Sequence, residues 1–144
     1  MSSVRSGAPR VVLDTNVLIS GTLWPGVCAT ILDRLETGSY RLVVSPWILQ
    51  EYREVLHSEE IIRKRAAGQL TTHPAIKAIL RHALLVKPRR VDHIIREDRD
   101  DDHVLAAAYA ARARFIVTQD KHILRIAHHR GTKIVTPLKF LQEH

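Results

Sequence analysis

Four short apolar runs, Arg10–Asp14, Arg41–Val44, Phe115–Thr118 and Lys133–Val135, alternate along this chain with stretches whose apolar residues recur at helical spacing. Leu84–Lys87 adds a fifth candidate strand. Strands separated by helices imply a parallel sheet flanked by helices, with right-handed crossovers. Phe115–Thr118 is of the wholly buried type, as central strands of such sheets are. The fold class is therefore α/β.

The helical segments carry their own punctuation. Trp24-Pro25-Gly26 breaks the chain, and Val27–Glu36 follows with Ile31, Leu32 and Leu35 on one face and Gly38 as a stop. Ser45-Pro46 supplies a capping side chain and a proline at the first helical position for a helix over Trp47–His57. Further helices are expected within Ser58–Leu70, from His73-Pro74 to about Leu84, over the alanine-rich stretch Asp102–Arg112, over Lys121–His128, and over Pro137–Gln142. The small side chains of the alanine run let that helix sit close to its neighbours. His128-His129 falls on the late helix and reads as solvated.

The acids are informative because of where the strands end. In open parallel sheets ligands bind outside the carboxyl ends of the strands. Asp14 closes the first strand, and Asp120 lies two residues beyond the buried "FIVT" run. Glu51 falls in the second turn of the helix after Ser45-Pro46, and Asp102 in the first turn of the alanine-rich helix. At ~100° per residue, Glu51 lies ~40° from Val55, at the margin of the apolar stripe, whereas Glu54 lies ~100° away and faces water. Each acid also has an ordinary reading. Asp14 suits a turn or a helix cap, and Asp102 suits the positive end of a helix.

Clustered carboxylates repel one another unless a cation sits among them. A hard divalent ion, Mg²⁺ or Mn²⁺, prefers such oxygens. The single cysteine excludes a thiolate cluster, and the nine histidines show no metal-ligand spacing. The net charge of +7 draws the surface toward polyanions. With only 5% aromatics a base-stacking platform is not expected, so backbone charge would dominate any nucleic-acid contact. An acid-lined metal site on a basic protein suggests phosphodiester chemistry.

The segments "VVLDTNVLIS", "SPWILQEYREVL", "DRDDDHVLAAAYAARARFIVTQDKHIL" and "GTKIVTPLKFL" together resemble the PIN domain, over about Arg10 to Leu141. The branch they resemble most is that of the toxin components of bacterial and archaeal toxin–antitoxin pairs. The resemblance implies a three-layer α/β/α sandwich with a central parallel sheet of about 4–5 strands. It also implies a ribonuclease dependent on Mg²⁺ or Mn²⁺ that yields 5′-phosphate and 3′-hydroxyl ends. The family's acidic quartet falls on Asp14, Glu51, Asp102 and Asp120, with Asp14 and Asp102 as principal metal ligands, Glu51 and Asp120 completing the set, and Glu51 or a metal-bound hydroxide helping to deliver the water. Thr15, Asn16 and Thr118 match its polar companions, and Ser45 is a further candidate. Asp98 and Asp101 read as structural or outer acids, and Gln119 stands where the branch often has glycine. Implied partners are RNA, a cognate antitoxin protein and a second copy of the chain.

Arg63, Lys64, Arg65 and Lys121 are candidates for the rim of an RNA groove, although a solvated helix face is the commoner fate of such a charge run. Residues 1–9 read as a disordered polar tail and 10–144 as one nuclease domain. With no signal-like start and no apolar run approaching ~18 residues, a cytoplasmic location away from membranes is expected. Two rivals stand beside the nuclease: a PIN-fold module that binds RNA or protein without cutting, and a phosphatase. An aspartyl-phosphate enzyme wants a second acid two residues after the first, where this chain has Asn16.

Overall fold

The computed structural model describes residues 7–89 and 100–144. Six strands, β1 (Arg10–Leu13), β2 (Arg41–Val44), β3 (Leu84–Leu85), β4 (Phe115–Val117), β5 (His128–His129) and β6 (Thr132–Val135), form one sheet in the order β3-β2-β1-β4-β6-β5. All neighbours pair in parallel except β5 and β6, which are antiparallel. The sheet is thus one strand wider than the four to five expected.

Alternation along each strand divides the side chains between two cores, as pleating requires. Val11, Leu13, Leu42, Val44, Phe115, Val117 and Val135 face one core. Val12, Val43, Ile116 and Ile134 face the other. The first core is closed by α1 (Thr15–Leu23), α2 (Val27–Glu36), α5 (Ile76–Arg81) and α8 (Pro137–Glu143), with Tyr52 of α3 (Pro46–Leu56) and Ile61 of α4 (Glu59–Ala66). The second is closed by α6 (Asp100–Ala111) and α7 (Lys121–Leu124). This is a three-layer α/β/α sandwich.

Local chemistry explains the element ends. Ser45 caps α3 by accepting from the Ile48 amide at 3.2 Å, with Pro46 behind it. Ser58 caps α4 and Thr136 caps α8 in the same way. Gly38 follows α2 at φ 81°, where a side chain would be strained. The chain before α5 is pinned by His73, whose Nδ1 accepts from the Ala75 amide at 3.1 Å. The proton on that ring therefore belongs to Nε2, which stands 2.7 Å from Asp33.

Several sequence expectations need correction. Helix α1 was not anticipated, because nearly every side of it is buried and no polar face marks its period. Helix α5 begins at Ile76 and ends at Arg81, shorter than the span from His73 to Leu84. The helix expected over Lys121–His128 stops at Leu124. His128-His129 instead pairs with β6 across a turn in which Arg130 and Gly131 both take positive φ, as two-residue hairpins demand. The proposed tail falls mostly on residues 1–6, outside the described residues, while the Pro9 carbonyl accepts from the Arg41 amide at 2.9 Å. Asp98 also lies outside the described residues. Among the described residues no single helix is long and apolar enough to cross a membrane.

Two close contacts generate predictions. A methyl group on Gly21 would stand 2.8 Å from the Cys28 carbonyl oxygen, because α1 and α2 meet there across a 91° bend. Gly21→Ala should lower stability by about 1–3 kcal/mol despite its better helix propensity, read by chemical denaturation. An unchanged midpoint would show that the two helices do not approach so closely. The buried Thr22–Tyr52 hydroxyl pair at 2.8 Å should make Tyr52→Phe cost about 1 kcal/mol.

Candidate active site

The strand carboxyl ends form one edge of the sandwich, and the candidate acids can be located against it. Asp14 directly follows β1, and its amide donates to the Val117 carbonyl of β4 at 3.0 Å. Its own carbonyl accepts from Val17 and Leu18, opening α1. The side chain, however, makes no capping bond to that helix. It is 7% exposed, and its Oδ2 accepts from Thr118 Oγ1 at 2.8 Å. The choice between cap and chemistry is thus partly answered: the Asp14 backbone starts the helix, and its carboxylate is held toward β4 instead.

Thr118 is the joint of this edge. It is fully buried, donates its hydroxyl proton to Asp14, and accepts from the Asp120 amide at 3.0 Å. Its own amide donates to the Val135 carbonyl of β6 at 3.0 Å. One hydroxyl therefore fixes the Asp14 carboxylate relative to the turn that carries Asp120. Asp120 is half-buried and caps α7, its Oδ1 accepting from the His122 amide at 2.7 Å.

Asp102 reaches the same edge from the other side of the sheet. Arg10, at the start of β1, donates from Nη1 to the Ala111 carbonyl at 3.0 Å, so α6 ends at the amino edge. The helix begins at the carboxyl edge, with Asp102 as its third residue and only 1% exposed. Glu51 lies on α3, whose first residue follows Ser45 and hence β2. It is half-buried while Glu54 is exposed, as the angular argument required. The Trp47 and His103 rings stack at 4.5 Å and 3°, which fastens the first turn of α3 to the first turn of α6. That stack was not anticipated, since nothing in the sequence links positions so far apart.

The remaining candidates divide. Thr15 is buried at the first turn of α1, and its Oγ1 finds no hydrogen-bond partner among the described residues. Asn16 is exposed. Ser45 is spent on its helix cap. Lys121 is exposed immediately after Asp120. Arg63, Lys64 and Arg65 are not drawn to Asp14. Lys64 pairs with Glu60 at 3.0 Å and lies 5.9 Å from the Trp24 ring, beyond the far end of α1. Arg63 and Arg65 are exposed.

The donor chemistry of this edge, all carboxylate and hydroxyl oxygen, fits a hard divalent cation. The acids share the edge without closing into a cage: among the described residues no group of three His, Cys, Asp or Glu is placed to hold a metal ion.

Comparison with known proteins agrees with this architecture. The sequence profile of the PIN domain matches residues 10–122. VapBC2 from Rickettsia felis, in a crystal structure bound to a DNA fragment from its promoter, is similar over 87% of this chain and 96% of its own, with TM-score 0.56 and 14% identity. FitAcB from Neisseria gonorrhoeae is similar over 89% of this chain and 98% of its own, with TM-score 0.50 and 15% identity. At such identities the likeness concerns the fold. No curated protein matches the sequence. From the profile match, which spans well over half of its length, the chain belongs to the PIN domain family.

Proposed function

We propose that this chain is a ribonuclease that hydrolyses RNA phosphodiester bonds with the help of Mg²⁺ or Mn²⁺, and that it is the toxin of a toxin–antitoxin pair. One observation carries the reading. A buried carboxylate, Asp14, stands at the carboxyl edge of the sheet and is oriented by Thr118 instead of being used to cap its own helix. Membership of the PIN domain family supports nuclease chemistry, and the resemblance of its sequence segments to the toxin branch of that family supports the toxin role.

In this reading Asp14 and Asp102 would hold the cation. Mg²⁺ is commonly bound through one or two carboxylates together with water and substrate phosphate, so a closed set of three acids is not required. The bound ion would acidify a water and offset charge on the phosphodiester. The chain's own groups do the rest. Thr118 keeps the Asp14 oxygens from rotating, and burial leaves both principal carboxylates poorly hydrated and so avid for a cation. Glu51, half-buried at the margin of α3, would accept the proton of the attacking water, and the leaving 3′-oxygen would take a proton from solvent. Asp120 contributes through its remaining oxygen while Oδ1 secures α7. An antitoxin and a second copy of the chain are the proposed protein partners.

A second reading, a PIN-fold module that holds RNA or protein without cutting it, draws on the open arrangement of the acids among the described residues. Substitution separates the two. Asp14→Asn should reduce cleavage of mixed structured RNAs by ~10²-fold or more while leaving RNA affinity equal or higher. EDTA should abolish cutting, and added Mg²⁺ or Mn²⁺ should restore it. RNA left intact by the wild-type protein at every metal concentration, with tight binding unaffected by Asp14→Asn, would favour the binding module.

Thr118 offers a finer test. Thr118→Val keeps the shape but removes the donor to Asp14 and the acceptor for the Asp120 amide. Cleavage should fall about 10–100-fold. The uncompensated buried groups should also cost about 1–3 kcal/mol of stability, and Thr118→Ser should recover most of both. Equal activity in all three proteins would remove Thr118 from the site.

A further inference from the structure

The amino edge of the sheet, opposite the acids, carries a rung of bases on successive strands. Arg10 of β1 is the register partner of Arg41 of β2. The Arg114 amide, one residue before β4, donates to the Arg10 carbonyl at 2.8 Å, and the Lys133 amide of β6 donates to the Arg114 carbonyl at 2.9 Å. Three arginines thus stand on three adjacent strands at intervals of ~4.8 Å, a row of ~10 Å, while Lys133, the register partner of Phe115, falls on the opposite face of the sheet. Two more arginines border it. Arg112 is exposed where α6 turns into β4, at φ 51°, and Arg130 occupies the β5–β6 turn with its guanidinium 4.4 Å from the Tyr109 ring.

Little at this edge neutralises the row. Glu143 serves Lys133 at 3.9 Å and also lies 3.8 Å from His144. Among the described residues no carboxylate pairs with Arg10, Arg41, Arg112 or Arg114. Arg10 has a structural task as the donor to the end of α6. Arg41 has none of that kind: its Nε is buried and finds no hydrogen-bond partner among the described residues. A buried guanidinium donor left unmatched beside a second arginine is unfavourable alone and is relieved by an anion.

We propose that this edge is a second RNA-binding surface, on which Arg41, Arg112 and Arg114 hold phosphates of a folded RNA away from the bond that is cut. The inference rests on RNA being the ligand, as in the reading above, but not on its cleavage. Asp14 and Arg10 are separated by the length of β1, ~13 Å, so a dinucleotide engaged at the acids does not reach the row while a folded RNA straddles both edges. An anionic membrane is the less fitting polyanion. Of the exposed large apolar residues, Tyr109 adjoins the row with Arg130 over its ring, whereas Trp24, Val27, Ile62, Leu85 and Leu138 belong to other segments, so the row lacks the flanking aliphatic wedge that interfacial binding uses.

The test uses the intact protein in EDTA, where nothing is cut, with bulk transfer RNA as the folded probe. Arg41→Gln/Arg112→Gln/Arg114→Gln is compared with Arg53→Gln/Lys77→Gln/Lys139→Gln, which removes the same charge from exposed helix faces. The row variant should weaken binding about tenfold or more and flatten the plot of log affinity against log salt by about two, whereas the control should change each by much less. Arg112→Gln/Arg114→Gln, confined to exposed side chains, should retain part of the effect and guards against misfolding from Arg41. Cleavage of a dinucleotide in Mg²⁺, too short to span the two edges, should be unchanged in the row variant. Equal losses in row and control variants would overturn the proposal, as would a loss seen only with phosphatidylserine vesicles and not with transfer RNA. Row-dependent binding without any cleavage by the wild type would leave this surface standing and remove the nuclease instead.

Discussion

A single hydroxyl joins the central strands where they end. Thr118 donates to the Asp14 carboxylate, accepts from the Asp120 amide, and belongs to a residue whose own amide bonds β6. Everything proposed for the carboxyl edge depends on that joint. A carboxylate with 7% exposure at the end of a strand would otherwise turn back to the nearest helix amides, which is where an aspartate after a strand ordinarily goes. Here the helix starts from the Asp14 carbonyl, and the side chain accepts from Thr118 instead.

The sandwich supplies the rigidity such a site needs. Its central strands are buried on both faces, with alternate residues committed to separate cores, so a one-residue slip would exchange the two sets. The two helix starts that bring in Glu51 and Asp102 are tied by the Trp47–His103 stack. Charge is separated along the strand axis. Buried acids lie at the carboxyl edge, and the row from Arg41 to Arg114 lies at the other. A polyanion therefore meets cations first at the edge away from the acids.

Much of this was legible in the letters, for identifiable reasons. Val27–Glu36 and Arg41–Val44 fall within their expected bounds because breakers and caps flank them: Gly26 and Gly38, then Ser45 and Pro46. Asp14 and Asp102 are assigned to the carboxyl edge by strand and helix ends, because an α/β topology fixes which edge each end occupies. What stayed hidden lacked periodicity or depended on pairing. Helix α1 is buried almost all round, and β5 is two residues long and held by the Arg130-Gly131 turn. The arginine row joins positions 10, 41 and 114, which only the register brings side by side. The visible charge run, Arg63-Lys64-Arg65, drew attention in sequence but lies on a helix at the far end of α1 from Asp14.

The central claim is that the edge defined by Asp14 and Asp102 takes a divalent cation, and its most direct measurement is anomalous diffraction from crystals soaked in Mn²⁺. The account predicts a manganese peak within coordination distance of both carboxylates, with the Thr118 hydroxyl still bonded to the opposite oxygen of Asp14. Manganese bound only elsewhere on the molecule, with Asp14 and Asp102 left unligated, would contradict it.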